Sequence, residues 1–358
     1  MALGKIDSAR RPAFGIIGTG EIVRMIRPTL LRDDSLRVAA IAGSKPGAAA
    51  QLAREFGGIT ACADYRELLQ LDLDAVFIAT PPHIHCEIIE AALAAGKHIV
   101  CEKPLVMNLE ELRAVEAAHC RHPHLKLASS SSRFHACPPV RKARELIARG
   151  RLGKILTVRL NISSEYPRAV ASQPAWRRQR ATSGGGIAMD WAVYDLDWLR
   201  YLLGDLFVPK AVMGSINFWQ DEGTKLETSY LAHILCERGL TISLERRPEH
   251  GPQFQRAEIR GTDGGLDLPF MPGGGPPGLV WYHRIDNATL QEEALAEKMN
   301  DWDSILAYPV IDLARALAEN REVASPLEVQ PGIYGVIAAL YQSAQTGESV
   351  AVTRKPKK

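Results

Sequence analysis

The chain has 358 residues, 46% of them hydrophobic and 23% charged, with a formal net charge of +2. A single hydrophobic core stops growing at roughly 250–300 residues, so this length predicts two domains. The near-neutral balance excludes a bulk electrostatic attraction to nucleic acid or an anionic membrane, and no apolar run approaches the roughly 20 residues that cross a bilayer.

Residues 1–11 carry Lys5, Asp7, Arg10 and Arg11 and no apolar core, unlike a secretory signal. The six cysteines, Cys62, Cys86, Cys101, Cys120, Cys137 and Cys236, form no CxxC pair and no dense framework. They read as reduced thiols of a cytoplasmic protein.

Residues 12–130 alternate short apolar runs with helical periodicity. Strands are expected near Phe14–Ile17, Val38–Ala42, Ala75–Ala79, His98–Cys101 and Leu125–Ala128. Helices fall between them, around Glu21–Leu31, Gly47–Phe56, His83–Ala95 and Leu109–His119. That alternation predicts an α/β domain with a doubly wound parallel sheet. After the first strand, Gly18-Thr19-Gly20-Glu21-Ile22 opens a helix. Glycine allows a sharp turn and close backbone approach to a pyrophosphate, and the helix N-terminus supplies N–H donors, which points to a Rossmann dinucleotide site. The third position of the GxGxxG/A pattern is Val23, a departure that predicts looser helix–strand packing. The second strand ends Gly43-Ser44-Lys45. No carboxylate stands there to hold a ribose 2′-hydroxyl, and a hydroxyl beside a cation suits the 2′-phosphate of NADP, which is therefore favoured over NAD.

The stretch Asp74–Pro104 is the most informative. A buried strand runs into Thr80-Pro81-Pro82, a helix follows, and a second strand delivers Glu102-Lys103-Pro104 at its carboxyl end. Ligands of parallel sheets bind just beyond strand C-termini. This segment resembles the Gfo/Idh/MocA family of nicotinamide-dependent sugar dehydrogenases, whose AGKHVxCEKP box it nearly reproduces. The resemblance implies that Thr80, Pro81, Pro82 and Glu102 adjoin the cofactor and that His85 matches the family's TPNxxH histidine, near the cofactor without being catalytic. Lys103 becomes a candidate catalytic residue.

The pattern changes after Ser132. A helix at Val140–Arg149 and a strand at Ile155–Ile162 precede an irregular span, Ser164–Arg180. A helix at Ala188–Leu203 is followed by strand-like runs at Ala211–Trp219, Ser229–Cys236, Leu240–Arg246 and Gln253–Arg260. Strands without intervening helices predict an α+β domain with a large, mostly antiparallel open sheet over 131–358. Both faces of Leu231–Cys236 are apolar or small, so one sheet face is left for a partner subunit, as a homodimer or homotetramer. Pro272–Gly278 reads as a loop. Helices near Trp302–Glu319 and Gly332–Gln345 close the chain, with scope to pack back on the first domain.

Ser183–Asp197 carries the second set of chemical groups. A glycine run, Gly184–Gly186, leads into a helix on which Asp190 and Tyr194 are four apart and share a face. The run resembles the family's GGGxxxDxGxHxxD motif, with Ala192 for the common glycine and Tyr194 where many members carry the catalytic histidine. Members resembling glucose–fructose oxidoreductase and dihydrodiol dehydrogenase also carry tyrosine there. The resemblance implies that Tyr194 exchanges a proton with substrate, Lys103 polarises the reacting oxygen and favours the phenolate, and Asp190 holds substrate or tyrosine in place. Arg133 at the domain junction and Tyr166, Trp176 and Arg177 before the glycine run are candidate sugar contacts. The cluster His119-Cys120-Arg121-His122-Pro123-His124 sits at a helix end without a second ligand pair, so no metal site is expected.

The resemblance extends to the closing helix, Val336–Gly347, where the family's tail reads AxYxSAxTG. It implies a hydride-transferring NAD(P)-dependent oxidoreductase of a sugar, polyol or related cyclic alcohol. Two alternatives share the fold: a glycosidase that oxidises the ring transiently on a tightly held NAD, and a cofactor-sensing regulator without turnover.

Overall fold

The computed structural model describes residues 11–164, 173–218, 226–248, 254–271, 278–284, 290–295 and 301–353. Tyr166 and nearly all of the loop expected at 272–278 lie outside them. The chain divides into two compact units, one of Met1–Arg133 with Trp302–Gln330 and one of Phe134–Asp301 with Pro331–Lys358.

The first unit runs β1 (Ala13–Ile17), α1 (Glu21–Arg32), β2 (Arg37–Ala42), α2 (Ala48–Glu55), β3 (Thr60–Cys62), α3 (Tyr65–Leu69), β4 (Ala75–Ile78), α4 (His85–Ala94), β5 (His98–Cys101), α5 (Leu109–Cys120) and β6 (Leu127–Ser129). The six strands form a parallel sheet in the order β3-β2-β1-β4-β5-β6. Strand order reverses between β1 and β4, and in doubly wound sheets ligands bind at such a switch point. Strands buried on both faces explain the unbroken apolar runs: every residue of β1 and β4 is buried. Phe14, Ile16, Ile41, Phe77 and Val100 form one core with Val23, Ile26 and Leu30 of α1. The helix Trp302–Ala318 adds Ala307, Val310, Leu313 and Ala314 to that core. Of the two closing helices, this one therefore groups with the first unit, while Gln330–Thr346 falls almost wholly in the second.

The second unit contains α6 (Pro138–Ala148), β7 (Ile155–Ser164), α7 (Arg180–Ser183), α8 (Ile187–Leu203), β8 (Pro209–Phe218), β9 (Glu227–Cys236), β10 (Thr241–Pro248), β11 (Phe254–Gly261), β12 (Gly264–Leu268), β13 (Leu279–Arg284) and β14 (Leu290–Leu295). After the first unit's helix, here α9 (Trp302–Ala318), it resumes with α10 (Gln330–Thr346) and β15 (Val350–Ala351). Its sheet has nine strands, β14-β13-β12-β11-β7-β10-β9-β8-β15. Within this sheet, only β7 and β10 pair in parallel among the described strands. Tyr230, Ala232 and Ile234 of β9 are buried on the side that α8 packs against. Met213 and Leu235 are 55% and 46% exposed on this chain. Sequence periodicity missed β12 to β15, which are short, glycine-containing or rich in Gln and Glu.

Candidate active site

In the first unit, the turn after β1 is shaped by glycine at two positions for two reasons. Gly18 has φ +125°, and a Cβ there would lie 2.4 Å from the Ala79 carbonyl oxygen at the end of β4. Its N–H donates to the Ala42 carbonyl at 2.9 Å, tying the ends of β1, β2 and β4 together. Gly20 caps α1 with no side-chain hydrogen bond, and nothing lies within 4 Å of where its Cβ would be. The N–H groups of Glu21 and Ile22 thus head an uncapped 12-residue helix, a ready anion site. A Cβ on Gly43 would strike the Thr19 methyl at 2.5 Å, so Gly43 makes room for Thr19. Ser44 and Lys45 are exposed at the end of β2.

Thr80 and Pro81 follow β4, and Pro82 opens the short turn leading to α4. The Thr80 hydroxyl is buried with no hydrogen-bond partner among the described residues, a group available to a ligand. His85 is fully buried, with Nδ1 3.0 Å from the Pro104 carbonyl and Nε2 2.9 Å from the Thr80 carbonyl. Burial holds its pKa below the usual histidine value against the opposing pull of these carbonyls. The imidazole thus sits between the segment after β4 and the one after β5, its single neutral-form N–H donating to one of the two carbonyls.

Glu102 leaves β5 with its N–H on the Ile78 carbonyl at 2.8 Å. It is 8% exposed and accepts a hydrogen bond from Arg133, and its other oxygen faces the Lys103 N–H at 3.3 Å. The Lys103–Pro104 peptide is cis. Arg133, read from sequence as a sugar contact, is 3% exposed and spans Glu102 and the Leu306 carbonyl. The carboxylate beside Lys103 is therefore held by Arg133, and Lys103 itself is half-buried at the strand end.

In the second unit, the glycine run packs against the first residue of β9. A Cβ on Gly186 would lie 2.2 Å from the Glu227 carbonyl oxygen, and one on Gly185 2.4 Å from the Tyr341 hydroxyl. Glu227, fully buried, accepts from the Gly186 N–H at 2.7 Å and from the Tyr341 hydroxyl. Burial, then the Glu227 charge, pushes the Tyr341 pKa up. The start of α8 is fixed by these contacts. Asp190, in its first turn, pairs with Arg177 at 3.3 Å, and the Arg177 guanidinium lies 4.6 Å from the centre of the Trp176 ring. Three of the expected substrate-side residues, Trp176, Arg177 and Asp190, are thus brought together. Tyr194 is 3% exposed, set edge-on to Phe134 (ring centres 5.2 Å apart) and 5.4 Å from Trp191.

Behind Tyr194 stands a group absent from the sequence reading. Asp195 is fully buried and accepts from Arg246 Nε and Nη2 at 3.0 and 2.6 Å and from the Tyr230 hydroxyl. The one signal for it was the i, i+4 spacing of Trp191 and Asp195. Glu227 carried none, since its role depends on strand register. Nearby, His135 stacks on Tyr201 at 4.0 Å, with burial lowering its pKa to about 4. Its Nε2 lies 3.4 Å from Asp197, but neither ring nitrogen has hydrogen-bonding geometry, so at neutral pH the contact is not an ion pair. Among the described residues no group of three or more His, Cys, Asp or Glu is placed to hold a metal. His119, from the cluster set aside above, faces the Leu125 carbonyl at 2.7 Å and closes the turn after α5. No helix among them is long and apolar enough to cross a membrane, and all six cysteines are free.

Comparison with known proteins agrees with this reading of the two units. Residues 13–126 match a model described as the oxidoreductase family with an NAD-binding Rossmann fold, and residues 140–267 match the GFO/IDH/MocA C-terminal domain. Levoglucosan dehydrogenase of Pseudarthrobacter phenanthrenivorans is 35% identical over 176 residues, which are 49% of this chain and 45% of that one. The chain thus spans about half the length of that relative. D-xylose 1-dehydrogenase (NADP(+)) 2 of Haloferax volcanii is 29% identical over 340 residues, 94% of this chain and 98% of the other. Among solved structures, a levoglucosan dehydrogenase in complex with NADH superposes with a TM-score of 0.83 at 25% identity, covering 97% of this chain and all of that one. With family models matching both units over more than half of its length, the chain belongs to the Gfo/Idh/MocA oxidoreductase family.

Proposed function

We propose that the protein is an NAD(P)-dependent oxidoreductase that moves hydride between the nicotinamide and a carbinol or carbonyl carbon of a sugar, polyol or related cyclic alcohol. The observation that carries the reading is α8, where Asp190 and Tyr194 share one face and Asp190 meets the Arg177–Trp176 pair. An aromatic ring beside a charged, multidentate donor is a suitable surface for a sugar ring and its hydroxyls.

The residues of the first unit fit a dinucleotide. The open cap at Gly20 and the N–H groups of Glu21 and Ile22 would hold the pyrophosphate, with Gly18 and Thr19 shaping the turn. Thr80, Pro81, Pro82 and Glu102 would flank the nicotinamide end, where the unpartnered Thr80 hydroxyl offers a hydrogen bond. The exposed Ser44–Lys45 pair, with no carboxylate beside it, favours NADP. Bound there, the cofactor supplies the hydride acceptor or donor. Lys103 polarises the reacting oxygen with its ammonium group. Tyr194 takes the proton from that oxygen during oxidation and returns it during reduction. Asp190 and Arg177 orient the sugar.

Similarity to a levoglucosan dehydrogenase and a D-xylose 1-dehydrogenase supports a carbohydrate substrate. The exposed Met213 and Leu235 on the open sheet face support a homodimer or homotetramer built there. Free cysteines, mostly buried, suit the cytoplasm. The deciding experiment is to denature the purified protein, identify any released nucleotide, and screen sugars and polyols by nicotinamide absorbance. Turnover with NADP or NAD is the expected result. Failure to bind either nucleotide refutes the reading, and aglycone release without net change in the cofactor replaces it with glycosidase chemistry.

A further inference from the structure

We infer that Arg246, Asp195 and Tyr230 form a buried clamp that positions the reacting face of α8, a role that rests on the oxidoreductase reading above. Asp190 and Tyr194 lie one turn apart on α8. Trp191 and Asp195 lie one turn apart on the adjoining face, at the same height. Both members of the second pair are held by a single side chain. Arg246 grips the Asp195 carboxylate with two nitrogens, at 3.0 and 2.6 Å, and its guanidinium carbon lies 4.3 Å from the centre of the Trp191 ring. Tyr230 donates to the same carboxylate. Strand register builds the clamp into the sheet, because Tyr230 of β9 stands directly opposite Arg246 of β10.

The contacts then close around Tyr194. Trp191 is 5.4 Å from Tyr194, Tyr194 is 5.2 Å from Phe134, Phe134 is 4.8 Å from Phe270, and Phe270 is 5.6 Å from Arg246. The Tyr194 ring is thus set by neighbours that Arg246 touches at both ends. Arg246 and Asp195 are 0% exposed and Tyr230 is 1% exposed, so the cluster meets no solvent. A fully buried ion pair is a poor source of stability, because desolvating both charges offsets their attraction. Apolar side chains would hold α8 on the sheet equally well. They would lack a planar two-nitrogen fork, which fixes the rotation of the helix about its own axis. Arg246, Asp195 and Tyr230 are positioning residues: they touch no substrate and determine where Asp190 and Tyr194 stand.

The test compares kinetics and thermal unfolding of Arg246→Met, Arg246→Lys and the double variant Asp195→Leu/Arg246→Met. Arg246→Met strands a buried carboxylate and loses stability. The double variant removes both charges and leaves only the Tyr230 hydroxyl without its acceptor, so its melting temperature rises above that of Arg246→Met, while kcat stays at least tenfold low and KM for the nucleotide is unchanged. A double variant with wild-type kcat overturns the clamp and makes the pair merely structural. If the double variant does not fold, Arg246→Lys decides. It keeps the charge without the fork, so a tenfold lower kcat in a folded protein supports the clamp and wild-type kcat overturns it. A wild type that turns over no sugar with either nucleotide refutes the proposed function separately. In that case near-ultraviolet circular dichroism reads the aromatic ring around Tyr194 directly. A changed spectrum in the double variant supports the clamp, and an unchanged one overturns it.

Discussion

Alanine substitutions at Gly18 and Gly20 separate folding from cofactor binding within one motif. At Gly18 the added methyl meets two penalties. The φ of +125° is one that L-residues rarely adopt, at a cost of about 1–3 kcal/mol. The Cβ would also lie 2.4 Å from the carbonyl oxygen and 2.7 Å from the carbonyl carbon of Ala79, a strand-end backbone that cannot swing aside, which adds about 1–3 kcal/mol of overpacking. Together these amount to roughly 2–6 kcal/mol, a fall on the order of 5–15 °C in the melting temperature of the first unit. At Gly20 the backbone is extended (φ −75°, ψ −178°), and nothing lies within 4 Å of the new methyl. The fold therefore loses no more than about 1 kcal/mol, the scale of a weakened helix cap. The methyl nonetheless enters the space a pyrophosphate would approach, and a tenfold loss of nucleotide affinity corresponds to about 1.4 kcal/mol. Scanning calorimetry and a nucleotide fluorescence titration measure the two effects independently. Gly18→Ala melting with the wild type would refute the steric argument, and Gly20→Ala binding nucleotide at full affinity would remove the pyrophosphate from α1.

Further outcomes follow from the same geometry. Lys103→Ala should lower turnover by on the order of 10²–10⁴-fold while leaving nucleotide affinity in place, and near-normal kcat would make Lys103 structural. Ser44→Asp places a carboxylate near the ribose and should reverse a preference for NADP. A wild type that already binds NADH tenfold more tightly contradicts the premise. Tyr194→Phe keeps the ring contacts with Phe134 and Trp191 and should lower kcat by about a hundredfold or more, with partial recovery in Tyr194→His. Stability should also fall in mild acid: burial depresses His135 from about 6.5 to about 4, so the unfolded chain takes up the proton first. This contribution is full above about pH 6.5 and is lost as pH falls through about 4, a change of about 3 kcal/mol. His135→Phe should flatten that part of the urea-unfolding profile, and an unchanged profile would assign the acid sensitivity elsewhere.

Five of the six parallel strands were legible because they present unbroken apolar runs between amphipathic helices, so periodicity and turn residues pointed to the same elements. The edge strand β3, three residues long with Thr60 and Ala61 exposed, showed no such run. The second sheet was legible only in its central strands. Val350–Ala351 is too short to show a period, and β14 reads Leu-Gln-Glu-Glu-Ala-Leu, whose glutamates are exposed at a sheet edge. The placement of α9 was open for a different reason. An apolar helix shows that it must be buried, and nothing in its period says against which sheet.

The same limit governed the site. Asp190 and Tyr194 could be paired from sequence because four residues is a local distance along a helix. Arg133 was assigned to the substrate by its position at the junction, whereas its carboxylate partner is Glu102, 31 residues away. Asp195 stood in plain view beside Tyr194, yet its meaning lies in Arg246, 51 residues away, and in a strand register that pairs Arg246 with Tyr230. Groups that would touch substrate cluster in short motifs because one turn or one helix can present them. The groups that hold those motifs still come from opposite strands, where only the fold brings them together. A reading of motifs alone therefore points to candidate proton carriers and misses the buried side chains packed behind them.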